Sequence, residues 1–214
     1  MRELPILFNG DMARAILDGR KTETRRPVKP QPVAPSMPLR DFTVEPAPVE
    51  CDGSWAWRWE QDYPDGWDMA HTPIRSPLGS PGDMLYVRET WADIGTPAQR
   101  AMCYRASHEA LFQIPVKWRP SIHMPKRAAR IWLRVEEVSV MRVQDIAMDP
   151  SAIEREGLSL DVPGAHLEPG IPDYTRSFRM LWDSIYAAKG YGWDTDCWVW
   201  SVRFSVVSTT GRPG

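Results

Sequence analysis

The densest cluster of chemically useful side chains lies near the start of the chain, in the segment Gly19–Arg26, which reads GRKTETRR. A threonine hydroxyl becomes a nucleophile when a base removes its proton, and a desolvated lysine or a neighbouring carboxylate can be that base. Lys21, Glu23 and Thr24 supply these groups within one short stretch, which is sufficient for acyl transfer. The same charges are also typical of a helix exit whose side chains simply face water.

The spacing of this segment decides which of its side chains can meet. If the segment is extended, Thr22, Thr24 and Arg26 share one face, while Lys21, Glu23 and Arg25 share the other. Lys21 and Thr24 would then meet only across a bend in the backbone.

A second candidate site is the basic segment 117–134, which contains six cations and no acidic residue. Its charged residues are Lys117, Arg119, Lys126, Arg127, Arg130 and Arg134, and they are interleaved with Trp118, His123 and Trp132. A stretch of this kind can bind phosphates and stack on bases. The alternative is a solvated loop that leads into a strand, with the tryptophans in the core.

Other common motifs are missing from the sequence. It contains no phosphate-binding loop, no dinucleotide-binding glycine pattern and no His-Glu-x-x-His, which disfavours nucleotide hydrolysis and zinc-protease chemistry. The four histidines are scattered, so we expect no metal site. The three cysteines are far apart and odd in number, which favours a reducing cytoplasm over a disulfide framework.

Two short elements should position the polar cluster. Leu4–Phe8 is typical of a buried strand, and Asn9 can cap a following helix that Gly19 ends, so the cluster leaves the helix as a loop or strand. Further on, Asp149-Pro150 is an N-cap followed by proline at the first helical position. A short helix then spans Ser151–Glu156, and Glu156 lies at its end.

The remaining patterns predict an α+β fold, a small mixed β-barrel with flanking short helices. Strands are predicted over Met84–Trp91, Ala101–Arg105, Ile131–Met141 and Trp198–Val207, and a longer amphipathic helix over Tyr174–Ala188. Trp182, Trp193, Trp198 and Trp200 are predicted to lie in the core.

The length and composition indicate one globular domain. The chain has 214 residues, 43% of them hydrophobic and 25% charged, and a formal net charge of -2. We expect a single domain over 1–207, a Pro- and Trp-rich insertion at 27–80 and a flexible tail at 208–214. Trp55, Trp57 and Trp59 alternate as in a strand within that insertion. No apolar run reaches about 18 residues, so a membrane protein is not expected.

Three segments together resemble the signature of the ASCH-domain family. They are FNG at 8–10, AILDGRKTETRR at 15–26 and PGDMLYVRETW at 81–91, and the chain is most similar to the larger phage and prophage branch. The resemblance implies a PUA-like β-barrel with a cleft suited to a nucleobase. It also implies a protein of a bacterial or phage-infected cytoplasm. Compact members lack the 27–80 insertion, which could cover the cleft, enlarge it or serve assembly.

The resemblance also implies an activity. Compact bacterial members are amidohydrolases that remove the acetyl group from N4-acetylcytidine, without a cofactor. Carried over, the catalytic residues are Lys21, Thr24 and Glu156, with Glu154 as the alternative if the register of the acidic helix slips. Arg26, Glu89 and Trp91 are expected to bind the substrate.

Two alternative functions use the same cleft. The first is an RNA-binding module without catalysis, in which the basic segment 117–134 holds a single-stranded base. The second is a ribonuclease, in which a lysine together with a tyrosine or glutamate activates a 2′-hydroxyl.

Overall fold

The computed structural model describes residues 1–32, 47–51, 54–63, 66–94, 101–107, 116–158, 166–168, 171–172 and 174–214. Within these ranges the chain has an α+β fold, as predicted. Its strands are β1 Glu3–Leu7, β2 Glu23–Pro27, β3 Ala47–Cys51, β4 Ser54–Tyr63, β5 Gly66–Ile74, β6 Met84–Arg88, β7 Trp91–Asp93, β8 Met102–Tyr104, β9 Trp132–Arg142, β10 His166–Glu168, β11 Ile171–Pro172 and β12 Trp198–Ser208. Its α-helices are α1 Gly10–Leu17, α2 Pro150–Arg155 and α3 Tyr174–Tyr186.

The main sheet has five strands in the order β1-β6-β9-β12-β2. β1 runs parallel to β6, and the other neighbours are antiparallel. The long strands β9 and β12 form its centre, where β-branched residues such as Val138 and Val202 face each other across the ladder. Among the described residues β1 and β2 remain the two edges, and no ladder closes the sheet into a barrel.

Part of the predicted insertion forms a separate three-stranded antiparallel sheet, β3-β4-β5. β4 contains the alternating tryptophans of the sequence prediction. The half-buried Trp55 makes an edge contact with Trp200 at 6.4 Å between ring centroids, so this sheet packs on the main core. Residues 33–46, 52–53 and 64–65 of the insertion lie outside the described residues.

The helices begin and end within two residues of where the sequence predicts, and α3 ends at Tyr186 instead of Ala188. The Asn9 side chain accepts a hydrogen bond from the Met12 N–H at 2.8 Å, and Gly19 follows α1 with a φ of 73°. Asp149 caps α2 by accepting from the Ala152 N–H at 3.2 Å. Phe178 and Trp182 of α3 pack against α2 and against two 3-10 turns, Val143–Met148 after β9 and Trp193–Thr195 before β12.

The hydrophobic core lies on the main sheet. Ile6, Leu85, Leu133 and Val202, one from each of four adjacent strands, are fully buried there. The predicted flexible tail contacts this body, because Arg212 pairs with Glu3 at 2.8 Å. In the described part of the chain no helix is both long and apolar enough to cross a bilayer.

Candidate functional site

A cavity of about 430 Å³ lies where β1, β2, α2 and α3 meet. Its polar lining consists of Lys21, Thr24, Arg25, Arg26, Glu156 and Lys189, with Ser121, Thr90 and Asn9 beside them. Its aromatic lining consists of Phe8, Phe178, Trp182 and Tyr186. A concave site with an apolar wall and a few converging polar groups is the usual form of a small-molecule site.

The backbone brings Lys21 and Glu156 together across 135 positions of sequence. After α1 the chain turns at Gly19, and Lys21 forms an isolated antiparallel bridge with Glu156 at the end of α2. Gly157 makes this close approach feasible: its φ is 80°, and a Cβ there would lie 2.8 Å from the Cβ of Lys21.

Lys21 is completely buried and uses all three of its ammonium hydrogens. Its Nζ donates to the Glu156 carboxylate at 2.6 Å, to the Glu156 carbonyl at 2.8 Å and to the Glu23 carbonyl at 2.7 Å. Such a complete set of acceptors compensates a charge that would otherwise be costly to bury. Glu154, the alternative to Glu156, is exposed and lies outside the cavity lining.

The pair belongs to a larger buried network. Arg25 bridges the two carboxylates: its Nη1 lies 3.0 Å from the second carboxylate oxygen of Glu156, and its Nη2 lies 2.6 Å from Oε1 of Glu23. Glu23 in turn accepts from Arg155 at 2.7 Å and from the Ser201 hydroxyl at 2.7 Å. Charges of both signs therefore alternate through the network, while the Nε of Arg25 has no partner in the described part of the chain.

Burial and charge oppose each other at the Lys21–Glu156 pair. Burial lowers the pKa of the Lys21 ammonium, and the attraction of Glu156 only partly restores it. Burial alone would raise the pKa of Glu156, but the positive charges of Lys21 and Arg25 outweigh it and lower that pKa. Glu156 therefore stays ionised, and Lys21 releases a proton more readily than an exposed lysine would.

Thr24 lines the same cavity as this pair, with 1% of its surface exposed. Its Oγ1 accepts a hydrogen bond from Arg26 Nη1 at 2.8 Å, as their common face on an extended strand predicts. Arg26 is held in turn by the carbonyls of Arg25 at 2.8 Å and Leu7 at 3.1 Å. The hydrogens of Lys21 are all directed elsewhere, so a proton can pass from Thr24 to Lys21 only after these contacts change or through a water molecule.

The aromatic wall comes from one face of α3. Phe178 and Trp182 stack with ring centroids 5.8 Å apart, and Trp182 lies 4.4 Å from Tyr186. Burial raises the pKa of the Tyr186 phenol, against the nearby positive charge of Arg26. Trp182 is buried as predicted, and it also lines the cavity.

Glu89 and Trp91 do not line this cavity, although Thr90 between them does. The buried Glu89 is occupied by Arg130, whose Nε and Nη2 donate to its two oxygens at 2.9 and 3.0 Å. Trp91 packs in a separate cluster with Met124, and Arg119 lies over its ring at 5.1 Å. Glu89 and Thr90 connect β6 to β7 with a bend at Thr90, and the partners of Glu89 and Trp91 hold both side chains away from the expected cleft.

The basic segment 117–134 is partly neutralised. Arg130 pairs with Glu89, and Lys126 pairs with Glu3. Lys117, Arg127 and Arg134 are exposed. The segment contributes Ser121 to the cavity lining, and its cations lie outside that lining.

Sequence reasoning missed the residues contributed by α3. Phe178, Trp182 and Tyr186 recur every four residues, a spacing that equally describes a core-facing helix, so the sequence alone does not assign them to a site. Among the described residues no three His, Cys, Asp or Glu side chains are grouped so that they could hold a metal ion. The chain matches no protein-family model, no curated protein and no solved structure.

Proposed function

We propose that the protein is an amidohydrolase that removes the acyl group from N4-acetylcytidine-type nucleosides. The observation that carries this proposal is the completely buried Lys21–Glu156 pair, which lies in the wall of a cavity that Thr24 also lines. Buried ionisable groups with shifted pKa values at a cavity are typical of acid and base catalysts. These three residues are also the ones that the resemblance to the ASCH-domain family implies.

The rest of the cavity suits the substrate. A planar pyrimidine ring can pack against the aromatic wall formed by Phe178, Trp182 and Tyr186. Phe8 also lines the cavity, with Lys21 Nζ 5.6 Å and the Arg26 guanidinium 5.3 Å from its ring centroid. A flat base with a polar acyl amide would thus meet apolar and charged groups at the same time.

The PUA-like barrel is part of the same proposal. Arg26 at edge strand β2 donates to the carbonyl of Leu7 at edge strand β1, at 3.1 Å. This contact supports a main sheet that curls until its two edges approach each other beside the cavity. The family resemblance implies such a barrel with a cleft suited to a nucleobase.

The proposed reaction begins with attack of Thr24 Oγ1 on the acyl carbonyl carbon. Lys21 starts this step as a neutral amine, which its lowered pKa allows, and a water molecule carries the hydroxyl proton of Thr24 to it as the C–O bond forms and the carbonyl electrons move to the carbonyl oxygen. The C–N4 bond then breaks, and Lys21 returns the proton to the departing cytosine amine. Water hydrolyses the acyl-threonine and releases acetate.

Arg26 and Glu156 have supporting roles in this reaction. Arg26 donates to Thr24 Oγ1, and its positive charge favours negative charge that develops near that oxygen. Glu156 fixes Lys21 because both its side-chain carboxylate and its backbone carbonyl accept hydrogen bonds from Nζ of Lys21. A fixed Lys21 is then available for proton transfer in one position.

The proposal is tested by following the conversion of N4-acetylcytidine to cytidine by chromatography. The wild type should turn over, and Thr24→Val should lose at least about a hundredfold in kcat/KM because the nucleophile is missing. Thr22→Val is the matched control, since Thr22 lies two positions away and outside the cavity lining. Turnover that survives in a folded Thr24→Val variant would rule out Thr24 as the nucleophile.

A further inference from the structure

We propose that the substrate is anionic: a cytosine nucleoside that carries a phosphate, which binds at the mouth of the cavity near Arg26 and Lys189. The inference rests on the proposed function for the identity of the base. The phosphate is inferred from the charges of the cavity lining, where positive charge exceeds negative charge.

The cavity lining contains more positive than negative charge. Lys21, Arg25, Arg26 and Lys189 are cationic, and Glu156 is the one acidic residue among the described lining residues. Lys21 and Arg25 are neutralised, because both pair with Glu156 and Arg25 also pairs with Glu23. Arg26 and Lys189 form no ion pair with any described residue, so two positive charges remain uncompensated at the cavity.

These two charges lie at the same end of the cavity. Lys189 Nζ is 5.3 Å from the centroid of the Tyr186 ring, and Arg26 lines the same cavity as Tyr186 and Lys189, where its charge acts to lower the pKa of the Tyr186 phenol. Arg26 and Lys189 therefore flank one tyrosine, at the C-terminal end of α3. An anion between them would meet both charges.

Exposure increases from the catalytic groups, through Arg26 beside Thr24, to Lys189. Lys21, Thr24 and Glu156 are buried, whereas Arg26 is half-buried and Lys189 is exposed. A nucleotide has the same arrangement, because its base is flat and weakly polar while its phosphate is strongly hydrated. The base can then lie in the aromatic interior while the phosphate remains in contact with water, which avoids the cost of burying a full charge.

Arg26 and Lys189 would contribute differently. Most of the Arg26 hydrogens already go to Thr24 and to the carbonyls of Arg25 and Leu7, so this residue acts mainly as a fixed charge. Lys189 makes no hydrogen bond to a described residue, and its ammonium is a mobile donor for phosphate oxygens. Lys189 is therefore the residue whose removal tests the phosphate site without altering the buried network.

The test compares unacylated ligands, so that it does not require turnover. Isothermal titration calorimetry at low salt would measure the affinity of the protein for cytidine, for cytidine 5′-monophosphate and for inorganic phosphate. We expect the nucleotide to bind roughly tenfold more tightly than the nucleoside, and this preference to weaken as salt is added. Inorganic phosphate alone should bind much more weakly than the nucleotide.

Lys189→Met keeps the aliphatic part of the side chain and removes its charge, so the preference for the nucleotide should fall several-fold. The matched control is Lys29→Met, because Lys29 is also exposed and also lies over a tyrosine ring, that of Tyr191 at 5.1 Å, but lies outside the cavity lining. This control should keep the wild-type preference.

Equal affinities for cytidine and its monophosphate in the wild type would overturn the inference. So would an unchanged preference in Lys189→Met, or a short cytosine-containing oligonucleotide that binds more tightly than the mononucleotide, because the ligand would then be RNA. The result is independent of the amidohydrolase assay. A protein that prefers the nucleotide but does not release acetate would refute the proposed reaction and leave only the phosphate site standing.

Discussion

The most unusual residue of this protein is Lys21, a fully buried lysine with a complete set of acceptors. Its ammonium donates to one carboxylate and two carbonyls, so each of its three hydrogens has an acceptor. A lysine that served only packing would be replaced at lower cost by an apolar side chain. The unfavourable free energy of burying this charge is consistent with a chemical role for Lys21 in the cavity that Thr24 also lines.

The energy of this pair can be measured with a double-mutant cycle. Lys21→Met leaves Glu156 with Arg25 as its only charged partner among the described residues, and Glu156→Met leaves the Lys21 charge without a carboxylate. Each single change should lower the free energy of unfolding by about 3–5 kcal/mol. The double variant should lose clearly less than the sum, because no uncompensated charge remains in the pair.

Urea unfolding of the four proteins gives this coupling energy. Arg25 pairs with Glu23 at 2.6 Å, and none of the three variants removes either partner, so we expect this pair to persist. Losses that simply add would show that Lys21 and Glu156 do not stabilise each other in the folded protein.

At the scale of elements, the site depends on how closely the end of α2 approaches the exit of α1. Gly157 occupies this contact, where an added Cβ would lie 2.8 Å from the Cβ of Lys21 and 2.9 Å from that of Ala15. The two segments could not form the Lys21–Glu156 bridge at the present separation with a larger residue there.

Gly157→Ala should therefore destabilise the protein and also weaken the proposed activity. Gly190→Ala is the control, because Gly190 has a φ of 81°, nearly equal to the 80° of Gly157, but nothing within 4 Å of an added Cβ. The control should show only the backbone cost, about 1 kcal/mol, while Gly157→Ala should lose about 1–3 kcal/mol more through overpacking.

Thermal and urea unfolding of the two alanine variants provide the comparison. Equal losses would mean that the packing around Gly157 relaxes without cost. A Gly157→Ala variant with full activity would show that the spacing of α1 and α2 is not critical for the site.

At the scale of the whole molecule, Asp83 fastens the start of the chain to the main sheet. It accepts three hydrogen bonds from Arg2, from the backbone N–H at 2.7 Å, from Nε at 2.9 Å and from Nη2 at 2.7 Å. Burial alone would raise the pKa of Asp83, but the hydrogen bonds from Arg2 and Ser80 outweigh it and lower the pKa to about 2.

This carboxylate should make stability depend on pH in a defined range. Because its folded pKa lies below the ordinary value of 3.8, its contribution is present above about pH 4 and is lost as the pH falls toward 2. We expect about 1–2 kcal/mol, since Arg2 is itself largely exposed and solvent screens the pair. Asp83→Asn should flatten this part of the urea-unfolding profile, and an unchanged slope would contradict the assignment.

Much of the fold could be predicted from the sequence, because its signals are local. The Asn9 and Asp149 caps, Gly19 and Gly157 determine where the helices begin and end, and the alternation in β9 and β12 predicts both strands. β5 was not predicted, because its sequence GWDMAHTPI has no regular alternation and its strand conformation depends on pairing with β4.

The site could be predicted only in part. Lys21, Thr24, Arg26 and Glu156 meet at one cavity, as the family resemblance implies. The bonds from Lys21 to two carbonyls and the link through Arg25 depend on how α2 packs on β2, which no local pattern records. Glu89 was expected at the cleft, but its long-range partner Arg130, 41 positions away, determines its actual place.

The most direct test of the central claim is the rate of cytidine release from N4-acetylcytidine as a function of pH. If Lys21 accepts the proton of Thr24, kcat/KM of the wild type should rise with pH and level off below 10.5, the ordinary pKa of a lysine, because burial lowers the Lys21 pKa. The folded Lys21→Met variant should show no such rise and almost no turnover. A folded wild-type protein that releases no cytidine at any pH, or a Lys21→Met variant with the wild-type profile, would contradict the account.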